Sequence, residues 1–223
     1  MDFRRDLDRT ARVLGALDAD VIGLQEVLRT ERCDQAALLA SALRHHSRRP
    51  AFGGSVDMKL AWGPAREVRG GTFGNALLVR GRILETCVHD LAVPHCERRA
   101  CLETLIECRD ERVRFFVCHF GLGFRERERQ AKRLAEILRA ASRDAPRVVL
   151  GDFNEWQRSG PVSRAIRAAF PSAPEPRATH PSVYPIFALD RMAWDDALRG
   201  ELRARDVKRA SDHNLLHAML EPC

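Results

Sequence analysis

Apolar residues recur every three or four positions near the start of the chain, at Leu7, Ala11, Leu14 and Leu17, which predicts an amphipathic helix over residues 4–18. Residues 20–25 then form a near-continuous apolar run ending at Gln25-Glu26. Such a run is expected of a strand buried on both faces, with a sheet neighbour on each side. Asp34 is placed to cap a helix over Ala36 to Leu43. The Gly- and Pro-rich stretch from Arg48 to Gly74 predicts irregular loops. Strands are predicted near 75–80, 83–92, 99–107 and 112–118. A long helix over 125–142 carries Leu134, Ile137, Leu138 and Ala141 on its apolar side. A strand at 147–151 follows, then a helix with Pro161 in its first turn. A Pro-rich loop occupies 171–185, before strands near 186–194, 204–208 and 214–220. No repeat or linker divides the pattern, so residues 1–223 are expected to form one domain. Alternating helices and strands around a central block of strands predict an α/β architecture, with two packed sheets and helices outside.

Composition narrows the partners. No apolar run approaches the ~18 residues that span a membrane. The net charge of +6 and a pI near 9.2 suit a phosphate-bearing partner, such as nucleic acid, a phospholipid headgroup or a phosphosugar. The basic residues are scattered and form no stripe interleaved with aromatics. Seven cysteines, with no C-x-x-C pair, argue against a structural zinc site and a full disulfide framework. A reduced, cytoplasmic monomer is the expectation, with no charged-then-apolar leader in the opening residues.

Three segments carry chemistry. Val148-Val149-Leu150 leads into Gly151-Asp152-Phe153-Asn154. Positions i and i+2 of an extended chain share a side, so Asp152 and Asn154 project together. A carboxylate beside an amide can position a water and steady a phosphoryl oxygen. The segment Ala19 to Val27 is an apolar strand ending in the carboxylate of Glu26. Ser211-Asp212-His213-Asn214 places an acid beside an imidazole just before the final apolar run.

In this order, these segments resemble the endonuclease/exonuclease/phosphatase superfamily, metal-dependent phosphoesterases related to DNase I and the exonuclease III-type repair enzymes. His119 in Val117-Cys118-His119-Phe120-Gly121-Leu122 resembles the family's strand-end "His-Leu" motif. Ala188-Leu189-Asp190-Arg191-Met192 resembles its "Leu-Asp-Arg-Ile" strand, and Gly74-Asn75-Ala76-Leu77-Leu78 its "Gly-Asn-Ala-Ile-Leu" strand. Glu97-Arg98-Arg99-Ala100-Cys101-Leu102 resembles "Glu-Pro-Arg-Gly-Ala-Leu", which aligns Arg99 with the family arginine.

The resemblance implies a four-layered α/β sandwich of the DNase I-like type, two packed mixed sheets flanked by helices, with the site at one end. It implies Mg²⁺ or Mn²⁺, which oxygen ligands favour over zinc. Glu26 is the expected metal ligand and Asp212 a second one. Asp152 would orient or deprotonate the attacking water, and Asn154 would donate to the phosphate. His213, paired with Asp190, would stabilise developing charge or move a proton. His119 and Arg99 would contact the phosphate, and Asn75 would support the site. His45, His46, His89 and His95 have no motif around them.

One departure stands out. Family members usually open with a strand of the form "Thr-Trp-Asn-Ile-His", and here Met1 leads straight into the first helix. The implied reaction is hydrolysis of a phosphodiester or phosphomonoester. DNA, RNA, a phospholipid or a small phosphodiester are all open as substrates. The absence of an obvious aromatic wedge favours a general phosphodiesterase or phosphatase over an endo- or exonuclease. The competing expectation is a catalytically impaired phosphate- or nucleic-acid-binding protein that lost its first strand.

Overall fold

The computed structural model describes residues 3–46, 57–207 and 210–223. Its elements, in chain order, are α1 (Phe3–Gly15), β1 (Val21–Arg29), α2 (Gln35–Arg44), β2 (Lys59–Val68), β3 (Gly71–Val79), β4 (Arg82–Asp90) and β5 (Ala100–Cys108). There follow β6 (Glu111–His119), α3 (Phe124–Ala140), β7 (Arg147–Asp152), α4 (Pro161–Ala169), β8 (Asp190–Trp194), β9 (Leu198–Arg205) and β10 (Leu215–Pro222). The helix ends obey local chemistry. The Asp34 carboxylate accepts from Ala37 N at 3.0 Å and caps α2, and Pro161 occupies the first turn of α4.

Three apolar cores separate four layers. Ala11, Leu14, Leu39 and Leu43 of α1 and α2 pack on Ile22, Ala76 and Leu78. On the other face of β3, Leu77 and Val79 meet Leu102, Val117, Leu150 and Trp194 of the second sheet. That sheet's far side sets Phe116, Cys118 and Val149 against Leu134, Leu138, Val162 and Ile166 of α3 and α4. β3, β6 and β7 are buried on both faces, which is why their sequences are continuous apolar runs rather than alternating ones. The fold is thus the four-layered α/β sandwich expected from the sequence.

Sheet register positions the chemistry. The larger sheet runs β4-β5-β6-β7-β8, antiparallel except for the parallel β6–β7 pair. Its register sets His119 beside Asp152 and Asp152 beside Asp190. Three polar residues on separate strands therefore form one row at the same end of the sheet.

Four expectations need correction. The stretch from Arg48 to Gly74 is not loop throughout. Residues 47–56 lie outside the described residues, but β2 and the start of β3 occupy most of the remainder. β2 hides its strand character because it is an edge strand, interrupted at Pro64 and with a register shift between Pro64 and Arg66. α1 ends at Gly15, and Asp18 turns the chain with a left-handed φ of 50°. β9 spans 198–205 rather than 204–208, because it buries only Leu198 and Leu202. Lastly, among the described residues β1 has a sheet neighbour on one side only.

Among the described residues, β1 pairs with β3 alone, and β10 pairs with β9 alone. A groove of about 400 Å³ lies between β1 and β10. Gly23 to Val27 form one wall and Asn214 to Leu216 another, with Leu7 and Leu14 of α1 and Leu150 and Met192 of the larger sheet completing it. Gln25 borders this groove, and its Nε2 is buried without a hydrogen-bond partner.

Candidate active site

A cleft of about 880 Å³ opens at the end of the sandwich where β1, β6, β7, β8 and β10 terminate or begin. Glu26, Arg99, His119, Asp152, Asn154, Asp190, Asp212 and His213 all line it. All eight site residues expected from the sequence therefore meet in one place, across a sequence span from β1 to β10. Asn75 lies behind them, buried, and donates to Ala100 O at 2.8 Å and Val117 O at 3.2 Å. It ties β5 to β6 directly beneath Arg99 and His119.

The backbone aims several of these groups. Glu26 sits at an irregularity in β1, where the register shifts between Leu24 and Val27, and its φ is 53°. That bulge turns its side chain into the cleft, where the carboxylate is 65% exposed. Asn154 also adopts a left-handed φ, 51°. Its backbone N–H donates to Asp152 Oδ1 at 2.8 Å, and its amide donates to Phe120 O at 2.9 Å. The same Nδ2 lies 3.4 Å from His119 Nε2 at the cleft wall. Strained backbone at two of six such non-glycine positions falls on this site.

On one side, Asp190 Oδ2 lies 2.8 Å from His213 Nδ1 and also accepts from the Thr179 hydroxyl. His213 Nε2 points across the cleft, 3.9 Å from Asp152 Oδ2. Burial works against the charged imidazole. The hydrogen bond and charge of Asp190, joined by Asp152 and Asp212, outweigh it and push His213 up to about 9. At neutral pH the ring carries both protons, one held by Asp190 and one presented to the cleft. Burial, reinforced by the Asp190 charge, pushes the Asp152 carboxyl up to about 6.

On the other side, Arg99 Nη1 lies 3.1 Å from His119 Nδ1, and Arg99 Nη2 pairs with Glu97 at 2.9 Å. Arg99 can only donate, so His119 Nδ1 accepts and the ring proton resides on Nε2. Burial, with the charges of Arg99, His213 and Arg66, drives His119 down to about 3, so it is neutral in this setting. The two histidines are thus tuned in opposite directions across one cleft. One is a cation and the other a neutral donor.

The donors suit a hard divalent cation. The ligand atoms of Asp152, Asp190 and His213 lie within 4.8 Å of one another, as do those of His180, Asp212 and His213, but the doubly protonated His213 ring offers no lone pair, so the carboxylates are the donors. Glu26 belongs to neither group. Its Oε1 approaches His119 Nδ1 at 3.8 Å and Arg99 Nη1 at 3.9 Å, outside hydrogen-bond range, so the carboxylate is left open toward the cleft. The carboxylates of Glu26, Asp152, Asp190 and Asp212 around one cleft are the ligand type that hard cations select.

Sequence reasoning missed two neighbours. Thr179 holds Asp190, and the His180 ring lies 4.6 Å from that of His213, centroid to centroid. Both come from the Pro-rich loop. A Thr-His pair inside a Pro-rich segment was the only available signal, and nothing in its spacing connected it with Asp190.

The chain belongs to the endonuclease/exonuclease/phosphatase family, whose model matches residues 1–213. Members of that family are generally phosphoester hydrolases and usually use divalent metals. Among individual relatives, the uncharacterized protein YbhP of Escherichia coli K12 is 29% identical over 158 residues. That match covers 66% of this chain and 62% of YbhP, so the chain matches under two thirds of that relative's length. A family protein from Leptotrichia buccalis superimposes with a TM-score of 0.76 at 17% identity, covering 98% of this chain and 93% of its own. The mannosyl-6-phosphatase Bt3783 of Bacteroides thetaiotaomicron gives 0.69 at 14% identity, covering 98% and 91%. Truncated TDP2 of Caenorhabditis elegans gives 0.70 at 17% identity, covering 96% and 89%. These structures share the fold. Among the described residues, no helix is long and apolar enough to cross a membrane.

Proposed function

We propose that this chain is an Mg²⁺- or Mn²⁺-dependent phosphoesterase that hydrolyses a phosphodiester, or a phosphomonoester, by attack of water. The observation that carries this reading is the Asp190–His213 pair facing Asp152 across the cleft, with Asn154 beside it. A bound divalent cation would neutralise phosphoryl oxygens and help the leaving oxygen. Glu26 and Asp212 are the residues proposed to hold it.

The chain's own residues supply the remaining steps. Asp152 orients the water and accepts its proton, a role suited to a carboxyl raised to about 6. The Asn154 amide and the Nε2–H of His119, 3.4 Å apart, donate together to phosphoryl oxygens. His213 presents its Nε2 proton to charge that develops in the transition state, and Asp190 keeps that ring oriented. Arg99 lies 11% exposed at the cleft wall, where its guanidinium holds His119 and adds a cation near the phosphate. The reading includes a monomeric, cytoplasmic enzyme with reduced thiols. All seven cysteines are free, and Cys101 and Cys118 face each other across β5 and β6.

Turnover of bis(p-nitrophenyl) phosphate and p-nitrophenyl phosphate tests the proposal, before and after chelation with EDTA and on return of Mg²⁺ or Mn²⁺. Turnover that survives removal of tightly held metal overturns the metal assignment. Absence of turnover on every ester favours the binding-protein reading, which the unpaired edge of β1 supports.

A further inference from the structure

Exposed apolar side chains are concentrated at the mouth of the cleft. Among the described residues, seven of the eleven exposed large hydrophobics lie in three segments around it. Leu122 precedes α3 and Phe124 is its first residue, and Trp156 follows the Asp152–Asn154 turn. Val183, Tyr184, Ile186 and Phe187 belong to a single loop. Leu122, Trp156 and Phe187 also line the cleft itself, so each segment reaches the candidate active site.

The loop is held firmly at its base. His180 and Phe187 exchange backbone hydrogen bonds at 3.0 and 2.9 Å, which leaves Val183 to Ile186 as its tip. Ser182 N donates to Asp212 O at 2.7 Å, and Asn214 N to Thr179 O at 2.7 Å. The same residues that build the site therefore project an apolar tip beyond it. Val183, Tyr184 and Ile186 are 66%, 75% and 57% exposed. A contiguous apolar patch beside a polar cleft marks an interaction surface.

Its composition selects the partner. Trp and Tyr among aliphatic side chains match the boundary between lipid headgroups and acyl chains. Exposed Arg125 and Arg158 lie one and two residues from Phe124 and Trp156, and the chain carries a net charge of +6. Both features favour an anionic bilayer. Nucleic-acid platforms need stacking faces, which Leu122, Val183 and Ile186 lack. Trp156 already has the Arg127 guanidinium 4.9 Å from its ring centroid.

We infer that this rim docks the protein on anionic phospholipid bilayers, and that the ester brought to the cleft is a phospholipid headgroup phosphodiester. This inference rests on the phosphoesterase reading above and names its substrate class. Sedimentation with phosphatidylcholine vesicles, with and without phosphatidylglycerol, tests the docking. A Val183→Ser/Tyr184→Ser/Ile186→Ser variant removes the tip. The protein is expected to pellet with phosphatidylglycerol vesicles, and the variant to lose about tenfold in binding and in hydrolysis of the vesicle lipid. The variant's turnover of bis(p-nitrophenyl) phosphate should remain within about twofold, which also shows that it has folded. Equal pelleting of both proteins, or none by either, overturns the docking surface. So does binding of single-stranded DNA that the variant loses while vesicles are ignored. Pelleting without turnover of either the vesicle lipid or any soluble ester upholds the docking and overturns the phosphoesterase reading, whereas soluble turnover without pelleting does the reverse.

Discussion

Replacing Gly151 with alanine tests whether the close approach of β6 and β7 sets the site. Gly151 has a φ of 149°, and a Cβ built on it would lie 1.9 Å from Cys118 O and 2.8 Å from the same carbonyl carbon. Ordinary contact begins near 3.4 Å, so the strands would have to part by about 1.5 Å. The obstacle is backbone, and it lies at the last but one pair of the buried parallel β6–β7 ladder. Overpacking in a core costs about 1–3 kcal/mol, and the unfavourable φ adds roughly 1–2 kcal/mol. At about 2–4 °C per kcal/mol for a chain of this size, the midpoint should fall by roughly 10 °C. The next register pair is His119 and Asp152, so the shift passes directly into the cleft. Turnover of a soluble phosphoester should fall by about tenfold or more even well below the midpoint. Circular-dichroism melting and initial rates at 20 °C below each protein's midpoint, about 20 °C being enough to exclude partial unfolding, separate the two effects. A midpoint within about 2 °C of the parent, with unchanged turnover, would refute the argument.

Other predictions concern the supports and the site. Asp195→Ala should lower stability by about 3–5 kcal/mol in denaturant titration, because it strands the buried Arg147 guanidinium that now binds Asp195 at 2.9 and 2.7 Å. Asp152→Ala and His213→Ala should each reduce turnover by ~10²-fold or more with far-UV circular dichroism unchanged, while His45→Ala does nothing measurable. Equal losses from all three would mean that the site lies elsewhere. Thr179→Val should lower turnover by roughly tenfold by removing one of the donors that fix Asp190, and Thr179→Ser should restore it. A pH–rate profile left in place by Thr179→Val would show that the hydroxyl is structural only.

The parts legible in the sequence were those in which local pattern and burial agree. β6 and β7 are buried on both faces, so their apolar runs announced them. The polar residues at their ends, His119, Asp152 and Asn154, could then be placed by counting. Asp190 and His213 were legible only as motifs, because their hydrogen bond joins residues 23 positions apart. β2 was obscured because an edge strand accepts Gly63 and Pro64. The orientation of Glu26 depends on a bulge, and no residue in Gln25-Glu26-Val27 signals a positive φ. Thr179 and His180 were invisible because their loop is shaped by backbone bonds to Asp212 and Asn214, long-range contacts without a periodic trace. Arg99 was expected as a phosphate ligand, and its grip on His119 could not be anticipated from spacing.

β1 remains the point where sequence pattern and structure disagree, and the disagreement can be tested. Its apolar residues suit a strand flanked on both sides, yet among the described residues only β3 is paired with it. The open edge faces β10 across a groove of about 400 Å³ lined largely by apolar side chains, with Gln25 Nε2 buried and unpartnered beside it. An extended segment in that groove could bond to β1 on one edge and β10 on the other and join the three-stranded and two-stranded sheets into one. An Asn or similar acceptor near its end would meet Gln25 and lie beside Glu26. A five-residue strand making about five net hydrogen bonds at ~1 kcal/mol each would offset its own ordering, roughly 5–10 kcal/mol, only in part; burying two or three of its apolar side chains in the groove, at about 1.5–3 kcal/mol each, turns the balance to a net gain of about 2–3 kcal/mol. That corresponds to a rise of roughly 5–10 °C in midpoint. The experiment fuses a strand of alternating apolar residues with one Asn to the N-terminus, through a short turn, in an extension of about 10–15 residues. A second fusion scrambles the same residues around a proline, which cannot pair within a sheet. Melting, amide exchange at Val21 to Leu24 and metal-dependent turnover are compared. The paired strand should raise the midpoint, protect those amides and increase turnover, and the proline version should do none of these. If both fusions match the parent in all three, the edge of β1 is closed by its own side chains and the groove is not a place for a strand.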